Sequence, residues 1–435
     1  MPSRWSITTE FALGFNGDNN KRKGTVSPNV CPDKLDTMTL CESSQSATPR
    51  RASAESGFLR KAEEIAKEVL AVHAADVDRN ATWPEQGLRT LLQEGFGGLV
   101  IPKQYGGKGQ GLQMLGRVCE LLSRECASTG ICFGMHCVAT SVISANATEA
   151  QRESFLTPIC EGKHLTSLAL SEAGTGVYFY LPQTTLHADS ADYYTLTGEK
   201  AFVTNGGYAD SYVVSAVAGS TEAPLGQFSC VVVPAGAQGT SWGQPWIGIG
   251  MRGNSSRSMT LRNVAVPRAN LLGREGDQIW YIFNVITPFF LIAIAATYLG
   301  IAASALEEAR THVMHRRHVH SGDLARSPVV QHRFGVLWGM LERTRRLIYG
   351  AAASFDAGEP NALIAIMASK AEVGDAAVTI VNEAMTLTGG RGYSEGCKLS
   401  RHLRDVRAVH LMSPSTDILR TWIGRSLLEV PLLAE

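Results

Sequence analysis

The sequence has no excess of charge of either sign. Forty lysine and arginine residues balance forty aspartate and glutamate residues in a chain of 435. Nucleic acids and anionic membrane surfaces attract proteins with a basic excess, so this composition argues against such partners. Charged residues are also few, at 18%, whereas 44% of the residues are apolar. A chain of this length and apolar content can bury large cores and should form more than one domain.

Paired cysteines are also lacking. The cysteines are odd in number, nine, and no two of them form a CxxC pair. This pattern argues against a disulfide framework and against a metal site of the zinc type. We therefore expect reduced thiols, most of them buried, and no metal centre. The cysteines lie at positions 31, 41, 119, 126, 132, 137, 160, 230 and 397.

Residues 1–52 lack the apolar periodicity of a folded segment and are rich in Ser, Thr, Asn and Pro. Such a composition cannot bury enough surface to offset the entropy lost on ordering, so we predict a disordered extension. The segment has no apolar stretch of the secretory type, and its acidic residues argue against an organelle transit peptide. A wrongly assigned start codon would explain it equally well. The expected location is the cytoplasm.

No charged residue occurs between Ile279 and Leu306. The stretch is long enough to cross a bilayer, but several polar residues interrupt it and no comparable segment accompanies it. We therefore predict a helix buried on all sides within a helical bundle, and no membrane span. The interrupting residues are Asn284, Thr287, Pro288, Thr297 and Ser304.

Helical periodicity begins near Ser53, where apolar residues recur on one face of the predicted helix. That face consists of Phe58, Leu59, Ala62, Ile65, Ala66, Val69 and Leu70. Two further helices are predicted over Leu112–Ser128 and Cys132–Asn146. Together these features predict an N-terminal helical domain over residues 53–164.

Short β-rich runs separated by turn residues follow and predict a mostly antiparallel β domain over residues 165–274. The runs are Tyr193–Thr197, Ser211–Val217, Phe228–Val233 and Ser258–Leu261. Helical periodicity then returns and predicts a helical domain over residues 275–435. Its helical blocks lie near 276–318, 330–356, 361–387 and 416–428. The predicted fold class is α+β.

Two glycine-containing motifs lie in the predicted β domain. SEAGTGVY occupies residues 171–178, and GEKAFVTNGGYADSYVV occupies residues 198–214. Glycines at 174 and 176 would let the backbone approach a ligand, and free N–H groups there can bind pyrophosphate oxygens. When this loop is considered alone, an ordinary hairpin turn is the alternative.

Five motifs in the same order make the sequence resemble the acyl-CoA dehydrogenases. The other three are the loop at 105–111, the segment at 250–273, and the run GGRGYSEGCKLSRHLRDVRAVHLMSPSTDI at 389–418. The resemblance covers about residues 55 to 430. It implies an N-terminal helical domain, a middle antiparallel β domain and a C-terminal four-helix bundle. The implied cofactor is FAD, with FMN as the alternative.

The resemblance also assigns residues to the flavin site. Phe202 matches an aromatic ring that packs against the flavin, and Thr204 matches a hydroxyl at its polar edge. Arg316 matches an arginine that reaches the FAD of a neighbouring subunit, and Gln331 matches a glutamine that follows in the same region. Gly389, Gly390 and Gly392 resemble the turn that receives the adenine end across the dimer interface, which implies a homotetramer or a homodimer. An electron-transfer flavoprotein or a flavin reductase would exchange electrons with it. The predicted cofactor-binding residues are Leu170, Ser171, Gly174, Gly176, Val177, Phe202, Thr204, Arg316, Gln331, Gly389, Gly390 and Gly392.

The C-terminal run departs from the family at the catalytic base. Ser413 matches the family's glutamate, and a serine hydroxyl cannot remove an α-proton unaided. Some members of the family carry the glutamate on the buried helix instead, but residues 279–306 contain no acidic residue. Val177 and Tyr178 replace a serine and an aspartate of the first motif, and Leu291 replaces a substrate-contacting arginine.

Three hypotheses about function follow. The first is a flavin-dependent monooxygenase of the same fold, acting on a small or carrier-linked substrate. The second is the desaturation of an acyl-CoA, or of an acyl group on another carrier, with Asp417 or Glu395 as a relocated base. The third is a flavin-binding partner protein without catalysis. The catalytic residues predicted for the first are His136, His410, Ser413 and Ser415.

Overall fold

The structure is a computed structural model that describes residues 49–176, 178–218, 228–276, 279–319 and 322–432. Most of the predicted extension, residues 1–48, and two of the cysteines, Cys31 and Cys41, lie outside these ranges. A helix begins at Pro49, so the last residues of that predicted extension are helical. Residues Glu55–Glu435 form one compact unit.

The N-terminal part is helical, as the apolar periodicity indicates. Residues Ala66–Leu70 form a π-helical turn that joins the first two helices. The helices are α1 (Pro49–Ile65), α2 (Ala71–Asn80), α3 (Glu85–Gln93), α4 (Leu112–Glu125), α5 (Ala127–Ala145), α6 (Glu149–Gln151) and α7 (Thr157–Cys160).

The break between α4 and α5 lies at Cys126, whereas the sequence predicts it around residues 129–131. Cys126 has extended backbone angles that end α4, and the next helix starts at once. Gly130 lies inside α5, and a Cβ atom on it would come within 1.9 Å of the Ser123 hydroxyl. The glycine therefore permits close contact between the two helices and does not mark a turn.

The middle part is one main β-sheet. Its strands are β1 (Thr166–Ala169), β2 (Thr185–Ala188), β3 (Tyr193–Val203), β4 (Ser211–Ala218), β5 (Phe228–Pro234), β6 (Thr240–Trp242), β7 (Arg257–Pro267) and β8 (Leu271–Leu272). The strand order is β6-β7-β3-β2-β4-β5-β8, and β1 pairs with β4. The pairs β1–β4 and β2–β4 are parallel and the other pairs are antiparallel. The predicted runs are strands, but β3 and β7 each extend to 11 residues.

The C-terminal part is a helical bundle. A π-helical turn at Ile282–Ile286 joins its first two helices, and a short hairpin of β9 (Arg317–His318) and β10 (Gly322–Asp323) follows. The helices are α8 (Ile279–Tyr281), α9 (Thr287–His315), α10 (Pro328–Asp356), α11 (Ala362–Thr388), α12 (Lys398–Val406) and α13 (Thr416–Leu427). Helix α9 packs against α11 within the bundle and against α4 of the N-terminal part.

Among the described residues, two helical stretches are long and apolar enough to cross a membrane, Ala127–Ala145 and Ile282–His315. The expectation that no comparable segment accompanies the uncharged stretch was therefore wrong, because Ala127–Ala145 is a second one. In their most apolar windows, 100% and 83% of the residues are buried inside the protein. The uncharged stretch is thus largely buried in the bundle, which is the position that its composition predicts.

Candidate active site

A cavity of about 540 Å³ lies where the three parts of the chain meet. Its walls come from α5, from the middle sheet and its loops, from the start of α9, and from the segment that follows α12. The lining residues are Ile131, Met135, Leu168, Leu170, Ser171, Glu172, Ala173, Gly176, Phe179, Ala201, Phe202, Thr204, Trp246, Met251, Asn254, Ser256, Ile286, Thr287, Phe290, Ile294, Ala408, Leu411, Met412, Ser413 and Pro414. This volume is in the ordinary range for a small-molecule or cofactor site.

The end of β3 presents two of the predicted flavin contacts to the cavity. The pairing of β3 with β7 shifts register between Lys200 and Val203, and such an irregularity redirects side chains. Phe202 has a φ of 54°, which is uncommon for an aromatic residue, and its side chain is exposed. Its ring meets Trp246 edge-on with the centroids 5.9 Å apart. The local backbone thus turns Phe202 outward, beside Thr204, instead of into the sheet.

The first motif contributes Leu170, Ser171 and Gly176 to the same cavity. Gly176 has a φ of 52°, and apart from its chain neighbours no atom of a described residue lies within 4 Å of the place where its Cβ would be. Its backbone is therefore open to a ligand. Gly174 does not line the cavity and packs instead against Gln183. Val177 lies outside the described residues.

Glu172 is the one ionisable residue among the described residues that line the cavity. Its carboxylate accepts hydrogen bonds from Lys200 Nζ at 2.5 Å and from the backbone N–H of Gln183 at 2.6 Å. Burial by itself would raise the pKa of Glu172, but the charge and hydrogen bond of Lys200, together with the hydrogen bonds from Thr184 and Gln183, outweigh burial and lower it. The carboxylate is therefore a paired structural anion and not a free base.

The segment after α12 places Ser413 in the cavity wall. The Ser413 hydroxyl is buried and has no hydrogen-bond partner among the described residues. Lys370 on α11 donates from Nζ to the carbonyl oxygens of Met412 at 3.2 Å and Pro414 at 2.9 Å. The lysine side chain thus holds both neighbours of Ser413. Burial lowers the pKa of Lys370 to about 8.

Two polar residues of the motifs tie the parts of the chain together around the cavity. Asn205 accepts from Trp83 Nε1 at 2.9 Å and donates to the Cys132 carbonyl at 3.0 Å. Asp405 accepts from the backbone N–H of Met251, a cavity residue, at 2.6 Å. These contacts fix the middle part to helices on both sides. The sequence identified both positions only as features of the family, without their contacts.

His136 does not line the cavity. It is fully buried, with Nε2 3.1 Å from the Gly97 carbonyl oxygen and Nδ1 3.2 Å from the backbone nitrogen of Thr166. Burial lowers the pKa of His136 to about 4, so the ring is neutral at physiological pH. These contacts are those of a structural histidine, because both ring nitrogens are occupied by backbone groups.

Other predicted catalytic residues also lie outside the cavity lining. His410 Nδ1 is 3.2 Å from the Thr416 hydroxyl, and Ser415 stands at the start of α13. Asp417 and Glu395, the predicted relocated bases, are exposed. Of the four predicted catalytic residues, the structure brings only Ser413 to the cavity.

The residues predicted to meet a neighbouring subunit also lie away from the cavity lining. Arg316, Gln331, Gly389 and Gly390 are exposed, and Gly392 is buried next to Thr388. Within one chain, therefore, they are separate from the residues that line the cavity.

Sequence reasoning missed most of the apolar cavity wall. Met135, Phe179, Phe290 and Met412 all line it. Phe179 directly follows Val177 and Tyr178, which depart from the family pattern. That departure is the sequence signal that could have indicated a changed cavity wall here. Phe290 lies in a uniformly apolar stretch whose periodicity does not reveal which face meets a ligand.

Known proteins are similar to this chain along most of its length. Family models of the N-terminal, middle and C-terminal domains of acyl-CoA dehydrogenases match residues 53–163, 167–264 and 291–428. An acyl-CoA dehydrogenase of Bacillus subtilis is 30% identical over 367 residues, which span 84% of this chain and 95% of that protein. A 3-(aryl)acrylate reductase of Clostridium sporogenes is 28% identical over 374 residues, spanning 86% and 98%.

The fold is also similar to a solved structure. Butyryl-CoA dehydrogenase from Megasphaera elsdenii superposes with a TM-score of 0.81 and is 27% identical. The match covers 86% of this chain and 98% of that one. The similarity thus extends through all three parts that enclose the cavity.

Proposed function

The chain belongs to the acyl-CoA dehydrogenase family, and we propose that it interconverts a saturated acyl thioester and its α,β-unsaturated counterpart. One observation carries the proposal. The motif residues Ser171, Phe202 and Thr204 share one cavity with Ser413, which matches the position of the family's base. Relatives named as acyl-CoA dehydrogenases and as an acrylate reductase support the same reaction class.

The residues of the cavity fit FAD, the cofactor of this family. The open backbone at Gly176 and the hydroxyls of Ser171 and Thr204 are available to hold it, and Phe202 to cover it. When bound, FAD supplies the two-electron acceptor or donor. The apolar side chains around it hold the acyl group in place.

Proton transfer at the α-carbon is the unusual part of this proposal. A positioned base contributes about 100- to 10,000-fold to such a step. Glu172 is paired with Lys200, and the hydroxyl of Ser413 is not basic at neutral pH. We therefore propose that the α-proton is exchanged with water and that the oxidative reaction is slow.

Flavin-dependent oxygenation is the second candidate. It is favoured by the missing base, since no unpaired carboxylate occurs among the described residues that line the cavity. Such chemistry requires an apolar cavity and no α-proton base. The comparisons support thioester chemistry better, because the relatives reported above are named for it.

We also propose that a second copy of the chain completes the cofactor site. Arg316, Gln331, Gly389 and Gly390 are exposed and lie outside the cavity lining, so they are free to meet the FAD of a neighbour. An electron-transfer flavoprotein or a flavin reductase would supply or remove electrons, and the cytoplasm is the proposed location.

Mixing with substrate in the absence of oxygen tests this function. FAD-loaded protein is combined with straight-chain, branched and aryl acyl-CoAs, and the visible absorption of the flavin is followed. We expect at least one thioester to bleach the flavin slowly and to yield the enoyl-CoA. If none bleaches it, and an oxygenated product forms when reductase and oxygen are supplied, the second candidate is correct. Protein that takes up no FAD contradicts both.

A further inference from the structure

Aromatic rings and thioethers make up much of the apolar cavity wall. Phe179 comes from the loop after the first motif, and Phe290 from the first turn of α9. Met135 of α5 and Met412, beside Ser413, add their sulfur atoms. Aromatic rings and methionine sulfur both gain energy from contact with another ring, beyond the gain from buried area.

The Phe179 ring is held in place before any ligand arrives. It packs against Tyr180 with centroids 5.7 Å apart and against Trp422 with centroids 6.4 Å apart. Trp422 in turn contacts Tyr180 at 6.1 Å and Phe283 at 6.4 Å. Phe179 is 6% exposed and Trp422 is 3% exposed. A ring fixed in this way loses little conformational entropy when a ligand binds against it.

The charges of the cavity lining limit which chemical group of a ligand can bind there. Glu172 is already paired with Lys200, and the other described residues that line the cavity are not ionisable. A charged group placed there would lose its hydration without gaining a partner, which is costly. The part of the ligand that reaches this wall is therefore uncharged.

We propose that the acyl group bound here carries an aromatic ring that packs against Phe179 and Phe290. The substrate class is then an arylalkanoyl thioester or its unsaturated counterpart. A straight alkyl chain would also bury apolar surface, but it would gain no ring contacts from these side chains. The inference rests on the proposed thioester chemistry and adds the identity of the acyl group.

This inference is tested with two thioesters, one carrying an aromatic ring and the other a saturated ring. The probes are 3-phenylpropionyl-CoA and 3-cyclohexylpropionyl-CoA, which have the same carbon count, with butyryl-CoA as a reference. Each is titrated by calorimetry into FAD-loaded protein whose flavin has been reduced, so that a saturated thioester cannot react. We expect the phenyl compound to bind about five-fold more tightly than the cyclohexyl compound, as ring contacts of about 1 kcal/mol require.

Leucine variants assign the preference to the cavity wall. Phe179→Leu and Phe290→Leu should each lower the preference to less than about two-fold, since each removes a ring contact. Phe283→Leu is the matched control, because Phe283 contacts Trp422 but does not line the cavity. It should keep the preference. Flavin content and the circular dichroism spectrum show that each variant is folded.

The outcomes separate this inference from the proposed function. Equal affinities for the two ring compounds, or a preference that survives in both leucine variants, would overturn the aromatic assignment alone. If none of the three thioesters binds, the thioester chemistry is contradicted and the inference fails with it.

Discussion

At the scale of single residues, the site joins motif positions with residues that only the fold brings near them. Thr204 and Ser413 lie far apart in sequence, yet both line one cavity. Lys370 was not among the predicted site residues, although it holds the carbonyls on both sides of Ser413. The motifs therefore identify where the site is, and the packing of the helices determines how it is held.

Asp405 gives the stability of the protein a pH dependence of defined sign. Burial raises the pKa of Asp405 from 3.8 to about 6. The folded protein therefore holds this proton more tightly than the unfolded chain does. The stability that comes from protonation is complete below the unfolded pKa and is lost as the pH rises through the folded pKa.

Asp405→Asn removes this titration and keeps an oxygen that can accept from Met251 N–H. Between about pH 4 and pH 7, we expect the wild-type free energy of unfolding to fall by roughly 2 kcal/mol relative to the variant. Urea unfolding at a series of pH values measures the difference. A difference that stays constant with pH would contradict the burial of an ionisable carboxyl at this position.

At the scale of elements, the contact of α4 with α5 depends on Gly130. A Cβ added there would come within 1.9 Å of the hydroxyl of Ser123, which is buried and has no hydrogen-bond partner among the described residues. Gly130→Ala should lower the free energy of unfolding by about 1–3 kcal/mol because it overpacks the interface. In a Ser123→Ala background, Gly130→Ala should lower the free energy of unfolding by a smaller amount. Ser123→Ala alone should change the free energy of unfolding little.

Denaturant unfolding of the four proteins in this cycle measures the coupling between the two positions. If Gly130→Ala lowers the free energy of unfolding equally in the wild type and in Ser123→Ala, the new methyl group does not contact the Ser123 hydroxyl.

The elements also show where local sequence patterns succeed and where they fail. Alternation of apolar residues predicts the strand runs of the sheet, but β3 extends to Val203 because β7 pairs along its length. The predicted break between two helices falls at residues 129–131, yet Gly130 is a packing residue inside α5. Local patterns cannot distinguish a glycine needed for close packing from one needed for a turn, since the partner lies elsewhere in the chain.

At the scale of the whole molecule, the motifs predict the order of domains and the place of the flavin site. They do not predict the aromatic wall. Phe179 and Phe290 come from separate parts of the chain and meet the cavity only in the folded protein. His136 lies in a helix that contributes to the cavity, yet its ring is directed to backbone groups of Gly97 and Thr166. Side-chain direction of this kind depends on tertiary packing.

The replacement Ser413→Glu tests the central claim, which is that a thioester oxidoreductase site lacks its carboxylate base. FAD-loaded variant and wild type are mixed without oxygen with the acyl-CoA that bleaches the wild-type flavin, and the rate of flavin reduction is measured. Ser413→Gln, of the same size but not basic, is the control. We predict a rate about 100-fold or more above wild type for the glutamate variant and no gain for the glutamine variant. A glutamate variant that binds FAD and the thioester without any gain in rate would contradict the claim.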